Sequence, residues 1–284
     1  MNFLPKIYEY LRLVRLDKPI GILLLLWPTL WALWLAAKGP PPWKILLIFM
    51  SGVVIMRSAG DIINDIADRR IDGSVTRTRN RPLVTQTIPL KNAWALFIAL
   101  CLLAGILVLF LNTFSLYLAF IGLLLACLYP FTKRFTHWPQ AFLALAYSWG
   151  IPMAFAALQN QLSLLTWWLF ATAGLWVILY DTFYAMTDRP DDIKMGIKST
   201  AVLFGDKDKI IIGCFQVLVL ISLILIGIYC QLHWPFYLGI VIAGLLAIYQ
   251  QYLIRRRDPV ACFKAFLNNH WFGCAVFIGL FFSF

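Results

Sequence analysis

Charge is scarce in this sequence. Asp, Glu, Lys and Arg make up 13% of its 284 residues, against about 25% in an ordinary soluble domain. With 62% hydrophobic residues, that shortage excludes a soluble globular protein. Apolar runs near or above ~18 residues recur along the whole length and read as membrane-spanning helices. Histidine is scarce too: His137, His233 and His270 lie far apart near segment ends, so packing is expected of each and no histidine metal centre. Cys101, Cys127, Cys214, Cys230, Cys262 and Cys274 show no CxxC spacing. They read as small buried residues, not disulfides or zinc ligands. No P-loop and no dinucleotide fingerprint is present. A cleaved signal is not expected, because Arg12, Arg15 and Asp17 interrupt the apolar residues of Met1 to Lys18. IYEYLRLVRL reads instead as a short amphipathic helix on the membrane surface.

What charge there is gathers in a few places. Ser58 to Leu83, SAGDIINDIADRRIDGSVTRTRNRPL, holds four aspartates and five arginines directly after an apolar stretch. Asn64, Asp68 and Asp72 are spaced at i, i+4 and i+8. Each four-residue step on a helix rotates by only ~40°, so a continuous helix would lean all three to one side. Asp61 and Asp65 follow the same spacing on a neighbouring stripe. Like charges at i,i+4 destabilise a helix, so positive charge is required among them. Oxygen-only ligands suit a hard cation such as Mg²⁺. A solvated, salt-bridged loop is the plainer reading of one such stretch. The pattern, however, occurs twice: Asp61-x6-Asp68-Arg69-x2-Asp72 returns as Asp181-x6-Asp188-Arg189-x2-Asp192. Decoration does not explain two identically spaced motifs, each at the end of an apolar helix.

The sequence predicts an all-α polytopic membrane protein with nine transmembrane helices in a single domain, 1–284. They run approximately Pro19–Ala37, Trp43–Asp65, Asn92–Leu111, Phe114–Pro130, Ala141–Leu158, Leu164–Met186, Ile210–Cys230, Pro235–Ile254 and Phe263–Phe284. The motifs lie four helices apart, so two pseudo-repeated four-helix units plus a ninth helix would bring both to one mouth. With the N-terminus inside and strict alternation, 22 of the 24 Lys and Arg fall on the inner side; only Lys38 and Lys44 do not. All thirteen acidic residues fall there too. This positive-inside pattern puts the C-terminus outside and the mouth at the cytoplasmic face. It also accounts for the net charge of +11, so no nucleic-acid partner is expected.

Asn64, Asp68 and Asp72 on one side, with Asp188 and Asp192 on the other, suit one or two Mg²⁺ ions clamping a diphosphate. Arg77, Arg79 and Arg81, with Lys194 and Lys198, add positive charge for its oxygens. The apolar, aromatic space between the helices matches an isoprenoid tail. The expected reaction is loss of diphosphate from an allylic carbon, followed by attack of an electron-rich acceptor. A cation or polyphosphate transporter is the alternative from another class. It would need polar groups at mid-membrane depth, and helices 1, 3, 7, 8 and 9 show almost none.

These motifs resemble the UbiA superfamily of membrane prenyltransferases, whose acidic signatures read NDxxDxxxD and DxxxD. Here they stand as Asn64-Asp65 to Asp72 and Asp188 to Asp192. RLDKPIG, YPFTKRFTHWPQ and YDTFYAMTDRPDDIKMGIKSTA resemble the branch acting on 4-hydroxybenzoate rather than on dihydroxynaphthoate, homogentisate or a porphyrin. The resemblance implies Mg²⁺-dependent transfer of a polyprenyl chain from polyprenyl diphosphate to 4-hydroxybenzoate, ortho to the phenol, in ubiquinone synthesis. It implies a bacterial inner membrane as the location. It places Tyr129 and Lys133 near the diphosphate or allylic cation. Arg134 becomes the candidate for the aromatic carboxylate, with Arg69 as rival, and Arg15 a helper at the mouth. Arg255 to Arg257 read as topology-setting charge.

Overall fold

The computed structural model describes residues 3–74 and 77–284, and among them it is entirely helical. The helices are α1 (Phe3–Leu13), α2 (Ile20–Ala37), α3 (Trp43–Asp68), α4 (Leu90–Val108), α5 (Thr113–Thr132), α6 (Pro139–Ser148), α7 (Gly150–Gln159), α8 (Leu164–Met195), α9 (Thr200–Phe204), α10 (Asp208–Tyr229), α11 (Trp234–Ile254) and α12 (Pro259–Phe281). Eight stretches among the described residues are long and apolar enough to cross a membrane. The predicted count of nine is therefore corrected to eight by apolarity. The ninth helix exists as α12, 23 residues long, but Lys264, Asn268, Asn269 and His270 dilute its apolar character.

Two boundaries depart from expectation for physical reasons. The predicted helix Ala141–Leu158 breaks at Trp149 into α6 and α7. Pro152 has no N–H to donate to the carbonyl four residues back, which frees the chain to bend there. The break is held from outside, because Trp149 Nε1 donates to the Leu118 carbonyl at 2.7 Å. Conversely, α8 does not stop at Met186. A capping box at Ser163 and Thr166 starts it, and it runs 32 residues, through Pro190, to a left-handed Gly196.

The centre of the bundle is aromatic. Trp176 of α8 lies 5.2 Å from Trp31 of α2 and stacks at 5.7 Å on Phe272 of α12. Its indole donates to Asn269 Oδ1 at 3.1 Å, and that of Trp31 to the Gly273 carbonyl at 3.1 Å. A Cβ at Gly273 would stand 2.5 Å from Trp27 Cδ1, so the close approach of α12 to α2 requires glycine. Helices α10, α11 and α12 nonetheless carry a chain of amides. Gln251 donates to Gln216, Gln216 to Gln250 and Gln250 to Asn268, at 2.9 to 3.0 Å. These amides satisfy one another across α10, α11 and α12.

Candidate active site

A cavity of about 1680 Å³ runs between the helices, and both acidic motifs line it. Its polar end is built from the ends of α3, α5 and α8 and the loop after α3. Asp61, Asp65, Asp68 and Asp72 are at most 5% exposed. Carboxylates buried to that degree must be paired, and each has a base. Asp61 pairs with Arg57, and Asp68 with Lys133 of the turn after α5. Arg15 reaches Asp65 at 2.7 Å, and Arg81 bridges Asp65 at 3.0 Å and Asp72 at 2.6 Å. Across the cavity, Arg77 takes Asp188 in a two-pronged grip of 2.6 and 3.1 Å, its guanidinium 4.4 Å from the Tyr184 ring centre. Burial opposes the Arg77 charge, but Tyr184 and Asp188 more than offset it and hold its pKa above the ordinary guanidinium value. Burial pushes the Asp72 carboxyl above the usual carboxylate range, with Arg81 pulling it partly back.

The helical stripe predicted for the first motif holds only as far as Asp68. There α3 ends, and Asp72 opens a short 3₁₀ turn, Asp72–Ser74. The turn is pinned locally: Ile71 N–H donates to the Asp68 carbonyl at 2.7 Å, and the Thr78 hydroxyl to the Asp72 carbonyl at 2.8 Å. Asp188 and Asp192, by contrast, sit on one continuous helix.

Of the residues singled out in the sequence, Arg15, Asn64, Asp68, Asp72, Arg77, Arg81, Tyr129, Lys133, Asp188, Asp192 and Lys198 line the cavity. Arg69, Arg79, Arg134 and Lys194 do not. Arg69 caps α3 and is exposed, since the chain leaves the helix at Asp68. Arg79 is exposed on the loop. Lys194 stands two residues past Asp192, about 200° around the helix. Arg134 donates to the Ala67 carbonyl at 2.8 Å and lies over Phe131. Sequence reasoning missed that Arg57, Gln140, Tyr147 and Tyr180 line the cavity together with Asp61 and Asp181, the first acids of the two motifs. Arg57 lies 5.6 Å from the Tyr147 ring centre. The signal was available: an arginine four residues before an aspartate inside an apolar helix marks a buried functional group.

The rest of the cavity is apolar. Phe49, Val53 and Met56 of α3 form one wall, with Cys101 and Cys127 of α4 and α5 on others. Ile98, Leu102, Ile106, Leu109 and Phe120 line it while remaining exposed, so the corridor reaches the lipid-facing surface.

Among the described residues no three His, Cys, Asp or Glu side chains converge as a ready metal site. The donor set nonetheless fits a hard cation. Every acid is an oxygen ligand, and Asp65 Oδ2 and Asp68 Oδ1 are buried with no hydrogen-bond partner. Asn64, Asp68 and Asp72, with Asp188 and Asp192, are the residues suited to hold it.

Residues 25–274, most of the chain, match the UbiA prenyltransferase family, and the chain belongs to that family. Among curated relatives, the 4-hydroxybenzoate octaprenyltransferase of Saccharophagus degradans is 55% identical over 95% of this chain and 91% of its own length. That of Vibrio vulnificus is 52% identical over 98% of each. The solved structure of a UbiA homolog from Aeropyrum pernix superposes with a TM-score of 0.79 at 25% identity, covering 91% of this chain and 96% of its own. A UbiA homolog from Archaeoglobus fulgidus bound to GPP and Mg²⁺ shares the fold with a TM-score of 0.68 at 17% identity, covering 96% and 99%. The chain is an integral membrane prenyltransferase.

Proposed function

We propose that this chain transfers an all-trans polyprenyl group from polyprenyl diphosphate to C3 of 4-hydroxybenzoate, releasing diphosphate, as a step toward ubiquinone. One observation carries the reading: a single cavity joins two acidic motifs and their bases at one end to an apolar, lipid-reaching corridor at the other. A prenyl diphosphate pairs a dense anionic head with a long apolar tail in the same way. The chain acts as one domain, 1–284, in the bacterial inner membrane. Its polar mouth faces the cytoplasm, with the N-terminus inside and the C-terminus outside.

Asn64, Asp68, Asp72, Asp188 and Asp192 would hold Mg²⁺, which when bound would supply Lewis-acid neutralisation of the departing diphosphate. Arg77, Arg81, Lys133 and Lys198 meet the diphosphate oxygens. Tyr129, Tyr147 and Tyr184 line the cavity, and an aromatic face turned toward the allylic carbon stabilises its developing positive charge. The apolar wall keeps water from capturing it. The carbon–oxygen bond to diphosphate breaks, a carbon–carbon bond forms ortho to the phenol, and the ring proton leaves. Arg57, half-buried beside Tyr147, replaces Arg134 as the cation for the acceptor carboxylate, because it lines the cavity and Arg134 does not.

The test is direct. Purified protein in liposomes, given both substrates and Mg²⁺, should yield the 3-prenylated acid by mass, and EDTA should abolish it. Intact diphosphate in the presence of Mg²⁺ would overturn the reading.

A further inference from the structure

The second acidic motif rests on a helix end that should not be stable by itself. Pro190 lies inside α8, between Asp188 and Asp192. It removes one helical hydrogen bond and crowds the turn before it. Yet α8 continues to Met195. What holds the last two turns lies outside the cavity, on the other side of the helix. Arg189, about 100° around from Asp188, donates through Nη1 to Asp208 Oδ2 and to the Gly205 carbonyl, both at 3.2 Å.

Asp208 is fully buried at the start of α10. Arg257, from the linker between α11 and α12, donates to both its oxygens at 2.8 to 3.1 Å. The Lys209 N–H donates to Oδ1 at 2.7 Å. Arg257 also gives a bond to the Asp206 carbonyl at 2.8 Å and adopts a left-handed backbone, φ 54°. A non-glycine residue takes that conformation only where its surroundings dictate it. One carboxylate thus ties α8, α10 and the start of α12 together. Neither Asp208, Arg189 nor Arg257 lines the cavity, whereas Asp188 and Asp192 on α8 and Phe263 and Phe266 on α12 do. The first motif is held differently: Arg69, the repeat partner of Arg189, makes no ion pair among the described residues, and Arg134 donates to the Ala67 carbonyl instead.

We propose that Asp208 is a positioning residue for prenyl transfer: through Arg189 and Arg257 it holds the Pro190-interrupted end of α8 so that Asp188 and Asp192 face the diphosphate head. This rests on the reading of those acids as the diphosphate site. Asp208 itself touches no substrate.

The experiment compares Asp208→Asn and Arg189→Gln with the parent protein in liposomes. The expected result is a rise of about 10- to 100-fold in the apparent KM for polyprenyl diphosphate and in half-saturating Mg²⁺, the range typical when a group orienting metal ligands is lost. The KM for the aromatic acceptor should stay near the parent value. Hydrogen exchange, measured without metal, should quicken across residues 189–196 while residues 164–187 stay protected. Unchanged exchange and unchanged KM values would overturn the proposal, as would exchange that quickens evenly through the bundle. If Asp208→Asn does not fold, Arg189→Gln decides by the same criteria. Asp188→Asn runs in parallel. If it leaves the Mg²⁺ and diphosphate dependence intact, the reading of the acids fails, while the exchange data still judge the anchor.

Discussion

Asp68 shows how much one side chain is asked to do. Buried and paired with Lys133 through one oxygen, it keeps the other oxygen without a partner. Asp68→Asn and Asp188→Asn should each lower kcat about 10²- to 10³-fold, as loss of one preorganised electrostatic group does; steady-state turnover at saturating Mg²⁺ measures this. Arg57 is judged differently, since Asp61 depends on it. Arg57→Met leaves a buried carboxylate unpaired and should cost about 3–5 kcal/mol of stability. A second change, Asp61→Leu, should return much of that loss, and thermal unfolding of single and double variants provides the check. For the acceptor, a milder Arg57→Lys should raise the KM for 4-hydroxybenzoate more than Arg134→Ala does; the reverse order would restore Arg134 to the site. Both acids of the pair were visible as a spacing pattern. Burial was not, because depth depends on which helices close over a residue, and pattern alone carries no such information.

Helices were largely legible because each is a long apolar run between polar breaks. The misreadings came where one residue outweighed the run. Pro152 and Gly150 split one predicted span at Trp149, while another ran past its predicted end at Met186 and through Pro190, where Arg189 and its partners support that helix from outside. Asp72 left the predicted stripe because α3 stops at Asp68. Close approach at the α11–α12 contact sets a further limit. A Cβ at Gly239 would stand 2.5 Å from the Ala275 carbonyl oxygen, and one at Gly279 would stand 2.8 Å from that of Pro235. Neither neighbour is a flexible side-chain tip. Gly239→Val should therefore destabilise the protein by about 1–3 kcal/mol through overpacking, read as a lower unfolding temperature in detergent. Glycines in these helices were visible; which of them faced a backbone was not.

At the scale of the whole molecule, charge and apolar surface are sorted to opposite parts of one cavity. The amides of α10, α11 and α12 bond to one another and do not line that cavity. The sorted cavity sets what the enzyme discriminates. Shortening the tail within the corridor should weaken binding by about 0.8 kcal/mol per methylene no longer buried. Lengthening it beyond the corridor should leave KM nearly flat, because those units rest in lipid in both free and bound states. A series of prenyl diphosphates of rising length, compared by kcat/KM, locates the point where the curve levels.

The exposed residues along the corridor, from Ile98 to Phe120, leave its side open to the bilayer. A closed tunnel would act as a ruler and reject chains of the wrong length. An open one reads only the first stretch of what it holds. The length of the side chain on the product is then decided upstream, by whichever synthase stocks the membrane. A cell that changes its supply of prenyl diphosphates would change its quinone pool without altering one residue of this protein.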